Sequence, residues 1–543
     1  MIATPEGQDL AALRRLPAHP TMRRSAKGER LVTTTLARCL TLCACLCSSA
    51  LAQDLRIEHV TIVSPEREGA LRDAEVYVHE GRIASITSAR SSRRTTRSRA
   101  ADVTINGTGL YLTPGLIDSH VHLGQIPGMT EEHERAHPDI ARAAREQIPR
   151  SYLYFGFTTL VDLISTPEAM ARWKSHEPVP DTYFCGGAAL MDGYPMSFAP
   201  KPARYTVMPY MIVEPQAGAP LPAGVEAAAH TPQAVVARMK ADGAICVKTF
   251  FERGFTAEGP ILPVPQPDTI RALVRAAHAE DLPVLMHANS AEAQAFGLDT
   301  GVDILAHGLW NVNESAAPGE LTPAVTSILD RVVEKKVGWQ PTIQVLYGLQ
   351  DLFSPGFLSD PMLAQVLPRS LIDWYGTSEG QWFHDVVAAD VAKRDPKVVR
   401  PNLSDPIGRV TAATGYLAKR GARLLFGTDT PSAPTYANPP GLNAWMEMHR
   451  LVDAGVTPAQ LFQAATLSNA RALKLDRQIG TVQVGKRANL LLVRADPRQT
   501  IQAYGEIVQV ILRGQLLKPG DLAADRSRSV SKNSRALGGS RIE

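Results

Sequence analysis

The chain has 543 residues, a formal net charge of +3 and 20% charged residues. Its length exceeds that of one ordinary domain and suits a barrel of repeated β/α units with an appended module. The nearly neutral charge, without a basic array interleaved with aromatic residues, argues against a nucleic-acid partner. No apolar run reaches the roughly 20 residues that a membrane-spanning helix needs, so we also expect no membrane span.

The first 52 residues have the composition of an export signal. A basic region precedes an apolar stretch at 39–47, and the small-x-small site at 50–52 predicts cleavage before Gln53. We expect Met22 to be the natural start and the mature protein to be periplasmic or secreted. A lipoprotein signal, with lipid attached at Cys45, is the alternative. A disordered leader without a targeting role is a third interpretation.

Alternation of apolar and polar residues follows the predicted signal, over residues 56–110. It is clearest at 74–86, which has a turn at Glu80-Gly81, and it returns at 480–493 and 507–512. This period of two predicts antiparallel strands with one solvent-facing side.

Residues 111–124 carry a change of character from apolar to polar. Leu116 and Ile117 predict a buried strand, and Asp118, His120 and His122 come directly after them. Alternate side chains of a strand share a face, so the two histidines point the same way and can chelate one metal ion. A His-x-His pair alone is weak evidence for such a site.

Four later apolar runs also end in a residue that could belong to a metal site. Val/Ile/Leu runs of this kind, separated by helix-like stretches, predict parallel strands covered on both faces. In a (β/α)8 barrel the carboxyl ends of the strands carry the chemistry. The four terminal residues are Lys248, His287, His307 and Asp429.

Two segments are too long for plain connections between strands. We predict strands at 155–162, 182–186 and 337–342, and a Pro-rich segment at 191–221 follows the second of these. The largest excursion, 344–418, leaves from the carboxyl end of a strand. We expect it to be a lid over the site, with a dimerisation surface in a homo-oligomer as the alternative.

Two of the six cysteines lie in the mature protein. Cys185 and Cys246 both sit in apolar, strand-like runs, where a free cysteine behaves as a small buried hydrophobe. An oxidising compartment would permit a disulfide between them. We expect them to be unpaired.

The order His-x-His, Lys, His, His, Asp at strand ends resembles the amidohydrolase superfamily, over about residues 57–517. The resemblance implies an α/β fold, a TIM-like (β/α)8 metal-dependent hydrolase barrel at 113–475. It also implies a small β-sandwich built from both chain ends, residues 53–112 and 476–518. The polar, basic residues 519–543 lack periodicity, and we expect them to be disordered.

The resemblance also implies a binuclear metal centre with two divalent ions, which we expect to be Zn2+. His120, His122 and Asp429 would hold one ion, His287 and His307 the other, and Lys248 would bridge them as N6-carboxylysine. An ammonium cannot bind a cation, so a lysine facing metals must be neutral or modified. The alternative for Lys248 is a strand-end lysine that extends to solvent.

The implied reaction is hydrolysis of an amide or peptide-like C–N bond in a small molecule. A metal-bridging hydroxide would attack the carbonyl carbon, and Asp429 would act as general base and then general acid, or as a ligand without a proton role. The pattern is most similar to the imidazolonepropionase-related, prolidase-like branch, which favours an N-acyl amino acid or Xaa-Pro dipeptide. Trp310 and Tyr347 are candidates for further contacts to the oxyanion.

Three other functions remain open. The same metal pair in this superfamily opens lactones and phosphotriesters, so a lactonase or phosphotriesterase is one alternative. A mononuclear deaminase is disfavoured by Lys248, which those enzymes lack. A non-catalytic relative that keeps the barrel as a scaffold is disfavoured because all six ligand positions are occupied.

Overall fold

A computed structural model describes most of the chain that follows the predicted signal. The predicted signal peptide, residues 1–52, and the part of the predicted tail beyond residue 526 lie outside the described residues. These are 54–88, 101–200, 204–214, 221–254, 261–310, 319–354, 356–392, 399–432 and 434–526.

The described residues form fifteen strands in two sheets and eighteen α-helices. The strands are β1 (Leu55–Ile62), β2 (Leu71–His79), β3 (Arg82–Ser88), β4 (Val103–Asn106), β5 (Tyr111–Pro114), β6 (Leu116–Val121), β7 (Phe157–Asp162), β8 (Asp181–Ala188), β9 (Cys246–Phe250), β10 (Val284–His287), β11 (Ile304–Ala306), β12 (Gly338–Gln340), β13 (Leu490–Val493), β14 (Ile507–Leu512) and β15 (Gln515–Leu517). The helices are α1 (Glu131–Ala136), α2 (Pro138–Tyr154), α3 (Pro167–Lys174), α4 (Arg204–Val207), α5 (Pro232–Ala241), α6 (Pro267–Ala279), α7 (Ala291–Thr300), α8 (Pro323–Glu334), α9 (Gln344–Asp351), α10 (Leu363–Val366), α11 (Arg369–Tyr375), α12 (Trp382–Ala392), α13 (Val399–Lys419), α14 (Leu442–Asp453), α15 (Pro458–Gln463), α16 (Asn469–Ala472), α17 (Gln502–Gly505) and α18 (Pro519–Leu522).

Seven strands form a parallel sheet in the order β12-β11-β10-β9-β8-β7-β6, so each strand lies beside its sequence neighbour. Helices follow these strands along the chain. Every residue of the seven strands is buried except the partly exposed Tyr183 of β8, as their continuous apolar runs predicted. The sheet is curled and TIM-like. Helices α3, α5, α8 and α15 each begin with a threonine cap followed by proline, two signals for a helix start.

The segment predicted as the last barrel strand, 422–429, is not a regular strand. It makes one isolated bridge to β12, between Leu424 and Trp339, and another to β6, between Thr430 and Val121. Asp429 has a left-handed φ of 59°, which interrupts the extended backbone that a ladder requires. The strand prediction was therefore wrong in form, although the segment lies between the two outer strands of the sheet.

The other eight strands form one sheet that combines both ends of the described chain, in the order β15-β14-β13-β5-β1-β2-β3, with β4 paired to β1. The antiparallel prediction holds for β1–β2 and β2–β3, but β1 pairs in parallel with β4 and β5. The buried side chains of this sheet form their own apolar cluster, to which Ile57, Val76 and Leu490 belong. The two-layer sandwich stays a prediction.

Cys185 and Cys246 form a disulfide, with their Cα atoms 4.5 Å apart, so the expectation that they are unpaired was wrong. The reason is register: β8 and β9 are parallel neighbours, and Cys185 stands directly opposite Cys246. Both lie in a buried cluster with Leu285 of the next strand. Side chains alternate along a strand, so Lys248 and His287, two residues further on, lie on that same face.

The long excursion is helical, from α9 to α13, and packs against the loop that follows His122. The Tyr375 hydroxyl donates to the Pro127 carbonyl oxygen at 2.5 Å, and the Trp382 indole N–H donates to that of Gly128 at 2.8 Å. The start of the predicted disordered tail is ordered, because Leu522 is buried and α18 packs on α2. Within the described part of the chain, no helix is long and apolar enough to span a membrane.

Candidate metal centre

His120, His122 and Asp429 meet at the carboxyl end of β6. The Nε2 atoms of both histidines lie 2.9 Å from Oδ1 of Asp429. One ligand atom from each residue can be chosen so that all three lie within 4.8 Å of one another. Ligand atoms around a tetrahedral Zn2+ lie roughly 3.3 Å apart, given Zn–N and Zn–O distances of about 2.0–2.1 Å. The three side chains therefore converge as closely as one ion requires.

Hydrogen bonds between β6 and the segment around Asp429 create this convergence. The Asp118 carboxylate accepts from the Thr428 hydroxyl at 2.7 Å and from the Thr428 backbone N–H at 3.1 Å. The Asp429 N–H donates to the His120 carbonyl oxygen at 2.7 Å. A Cβ at Gly427 would lie 2.7 Å from the Cβ of His120, so only glycine permits this approach. Asp118 thus links β6, which carries His120, to the segment that carries Asp429.

His287 and His307 stand beside this trio. The ring centroids of His120 and His307 are 5.0 Å apart, and those of His307 and His287 are 4.6 Å apart. His307 Nδ1 lies 3.0 Å from the Thr342 hydroxyl and 3.9 Å from Oδ2 of Asp429. The four histidines that the sequence singled out therefore form one continuous cluster around Asp429.

Lys248 completes the set of predicted site residues. It is only 1% exposed, and its Nζ has no hydrogen-bond partner among the described residues. The alternative of a lysine that extends to solvent is therefore wrong. Burial lowers the pKa of Lys248 to about 7, against the opposing effect of Asp429.

The electrostatics of the cluster suit cation binding. Burial, joined by the nearby Lys248, lowers the pKa of His120 to about 3, and burial also lowers the pKa values of His287 and His307. Although burial opposes ionisation, His120 and His307 hold the pKa of Asp429 well below its usual value. Neutral imidazoles and an ionised carboxylate are the forms in which these side chains bind metals.

Unsatisfied polar atoms support the fit of a metal. Neither ring nitrogen of His120 makes a hydrogen bond of acceptable geometry with the described residues, although both are buried. Buried polar atoms normally have partners, so such atoms call for an unseen ligand. His307 and Asp429 also have left-handed backbones, with φ of 78° and 59°. Strain of this kind concentrates at functional sites.

Aromatic side chains border the histidines. The Tyr194 ring lies 4.6 Å from that of His287, and the Trp310 ring lies 4.8 Å from that of His307. The Trp310 indole N–H is buried and has no partner in the described part of the chain. Tyr347, the other candidate for an oxyanion contact, stacks against the Arg450 guanidinium.

Sequence reasoning missed two residues of this site. Tyr194 lies in the Pro-rich segment after β8, where no pattern distinguished it. Glu252 lies two residues beyond β9, and its Oε2 is 3.1 Å from Nε2 of His287. Its signal was available, because an acidic residue directly after the Lys248 strand belongs to the edge of the sheet that carries the other candidates.

A sequence model of the amidohydrolase family matches residues 111–308 and 378–517. The chain therefore belongs to the amidohydrolase family, as the order of ligand-type residues at the strand ends predicted.

Individual relatives are distant. Adenine deaminase 1 of Latilactobacillus sakei is 26% identical over 182 residues, which are 32% of this chain and 29% of that protein. The chain spans less than a third of the length of the curated relatives it matches. A Xaa-Pro dipeptidase with bound methionine superposes with a TM-score of 0.58 at 19% identity, covering 86% of this chain and 100% of the other. A prolidase complexed with N-methylphosphonate-L-proline gives 0.56 at 19%, covering 86% and 99%. Likeness at this identity concerns the fold.

Proposed function

We propose that the protein is a binuclear metal-dependent hydrolase of amide or peptide-like C–N bonds. The observation that carries this proposal is Lys248, a buried amine beside the histidine cluster and Asp429 that has no hydrogen-bond partner among the described residues. A folded protein has little reason to bury such an amine for stability alone, because no hydrogen bond from the described residues offsets the cost of its desolvation. Family membership supplies the chemistry in which this lysine has a use.

We propose that His120, His122 and Asp429 hold one divalent ion, His287 and His307 the other, and that Lys248 bridges them as N6-carboxylysine. The neutral amine would form an N–C bond to CO2 and release one proton, which leaves a carbamate anion. The two oxygens of that anion would serve as metal ligands, which would account for a buried Nζ that makes no hydrogen bond with the described residues. Two such ions, Zn2+ in our proposal, supply Lewis acidity and an activated water when bound.

Side chains of the protein would transfer the proton and would donate hydrogen bonds to the substrate. Asp429, held ionised by the histidines, would accept a proton from the attacking water and pass it to the departing nitrogen. The indole N–H of Trp310, for which the described residues offer no acceptor, would donate to the developing oxyanion. Burial raises the pKa of the Tyr194 phenol, which keeps its proton available as a second donor.

For the substrate we propose an N-acyl amino acid or a Xaa-Pro-type dipeptide. Support comes from the prolidase and Xaa-Pro dipeptidase folds, both superposed over 86% of this chain. The adenine deaminase match makes aminopurine deamination the second candidate. Lys248 weighs against a mononuclear deaminase, because the mononuclear deaminases of the superfamily lack this lysine.

Several finer features of the architecture belong to this proposal. The segment around Leu424 and Thr430 bridges to both outer strands, β12 and β6. It would close the curled sheet into a barrel in the position of an eighth strand. The sheet built from both chain ends would form the flanking sandwich. The α9–α13 insertion would act as a lid, since it packs on the loop after His122. The small-x-small site before Gln53 favours export of the mature protein.

The direct test is a hydrolysis screen of the mature protein after loading with Zn2+ or Co2+. Its substrates are N-acyl amino acids, Xaa-Pro dipeptides, lactones, phosphotriesters and adenine. The proposal expects cleavage of an amide or Xaa-Pro bond that chelators abolish and Asp429→Asn removes. Ammonia release from adenine without amide cleavage would favour the deaminase, and turnover of lactones or phosphotriesters alone would favour those alternatives.

A further inference from the structure

Glu252 is a buried carboxylate of the site to which the proposed function gives no role. It lies just beyond β9 and is 5% exposed. Its Oε2 lies 3.1 Å from Nε2 of His287, and its Oε1 accepts from the Gly254 N–H at 2.8 Å. Burying a carboxylate is costly unless its oxygens are satisfied. One oxygen thus anchors Glu252 to its own loop, and the other contacts a candidate metal ligand.

The arginine next to Glu252 in the sequence pairs with a different carboxylate. Arg253, the next residue, forms a bidentate pair with Glu292, and both of those side chains are about half exposed. The chain therefore places one acidic group outward on an arginine and the other inward on a histidine. His287 and Glu252 have side chains that are each only 4% exposed.

A carboxylate at one ring nitrogen decides where an imidazole carries its proton. The Glu252 carboxylate can only accept, so Nε2 of His287 must donate, and the lone pair of the neutral ring then lies on Nδ1. His307 is oriented through the opposite nitrogen, because its Nδ1 contacts the Thr342 hydroxyl. Metal-binding histidines are commonly fixed in this way by a partner at the second nitrogen.

We propose that Glu252 is a positioning residue that holds His287 as its Nε2–H tautomer, so that Nδ1 faces the second ion. This inference rests on the binuclear centre of the proposed function. Glu252 acts through His287 and not as a ligand. Its removal therefore weakens the binding of the second ion, while the first ion stays tightly bound. Its role is to set the affinity of the second position.

Two variants of Glu252 and one matched control test this role. Glu252→Ala removes the acceptor, Glu252→Gln keeps an uncharged acceptor of the same size, and Glu292→Gln alters the neighbouring surface carboxylate. Chelator competition with Zn2+ measures both binding constants. We expect Glu252→Ala to lower the affinity for one of the two ions by about 10–100-fold and Glu252→Gln to lower it less. Glu292→Gln should have the same two binding constants as the unaltered protein. Saturating Zn2+ should restore two ions in every case.

A second readout does not need the metal. Ring 15N shifts of His287 in the metal-free protein report which nitrogen carries the proton, and we expect Nε2–H in the unaltered protein and a mixture in Glu252→Ala. Unchanged Zn2+ affinity with an unchanged tautomer in a folded Glu252→Ala protein would overturn the inference. The inference would also be overturned if the Glu252→Ala protein failed to bind a second ion at saturating Zn2+, because Glu252 would then be a ligand. An unaltered protein that binds no ion but keeps the Nε2–H tautomer would sink the proposed function and leave the Glu252–His287 contact established.

Discussion

Lys248→Met should make the protein more stable and far less active. Methionine has nearly the length of lysine and fills the same buried space without an amine. If Lys248 only supported the fold, its replacement would destabilise the protein. If Lys248 exists for the metal centre, stability and activity should change in opposite directions.

The magnitudes follow from the burial of Lys248. A pKa lowered from 10.5 to about 7 corresponds to roughly 5 kcal/mol against charging the amine at this position. Leaving even the neutral amine without a partner costs about 1–3 kcal/mol, which methionine recovers. A gain of that size raises the midpoint of thermal unfolding by a few degrees in a protein of this size. Loss of the bridge between two ions should reduce turnover by ~100-fold or more.

The assay compares the metal-free proteins by calorimetry and the metal-loaded proteins by elemental content and hydrolysis. Lys248→Met should hold fewer than two ions. Lys248→Ala, whose shorter side chain leaves a gap, should regain part of its activity when acetate enters as a substitute bridge. A Lys248→Met protein that melts lower, or that keeps two ions at normal turnover, would refute the reasoning.

Three further predictions concern other parts of the molecule. Trp382→Ala, which removes the indole bond to Gly128, should change substrate preference at unchanged metal content, and altered oligomer size with unchanged kinetics would favour the interface alternative. The mature protein should show no free thiol when unfolded without reductant, and alanine at both Cys185 and Cys246 should lower unfolding stability by up to roughly 4 kcal/mol, given their separation of 61 residues. Thiols that react before reduction would contradict that pairing. Amino-terminal sequencing of exported protein should begin at Gln53, whereas a lipidated Cys45 would establish the lipoprotein alternative.

The position of the site could be predicted from the sequence because strand geometry is local. Alternation along β6 places His120 and His122 together, and continuous apolar runs place Lys248 and His287 at one edge of a parallel sheet. The family match confirms the predicted membership, and the structure confirms the TIM-like parallel sheet. The roles of these residues as ligands stay predictions.

The features that were missed depend on contacts between distant segments. The Cys185–Cys246 disulfide follows from the register between two strands, which neither strand's own sequence specifies. Asp429 lies on a segment whose left-handed turn and bond to β6 replace a regular ladder. Glu252 reaches His287 because β9 and β10 are neighbours and Phe250 stands opposite His287. Leu522 is buried where α18 packs on α2.

The metal content of the mature protein tests the binuclear centre most directly. Elemental analysis after loading with a divalent ion and removal of excess should approach two ions per chain, because four histidines and Lys248 lie around Asp429. Full activity with one tightly bound ion at saturating metal, or no bound ion at all in a folded protein, would contradict it.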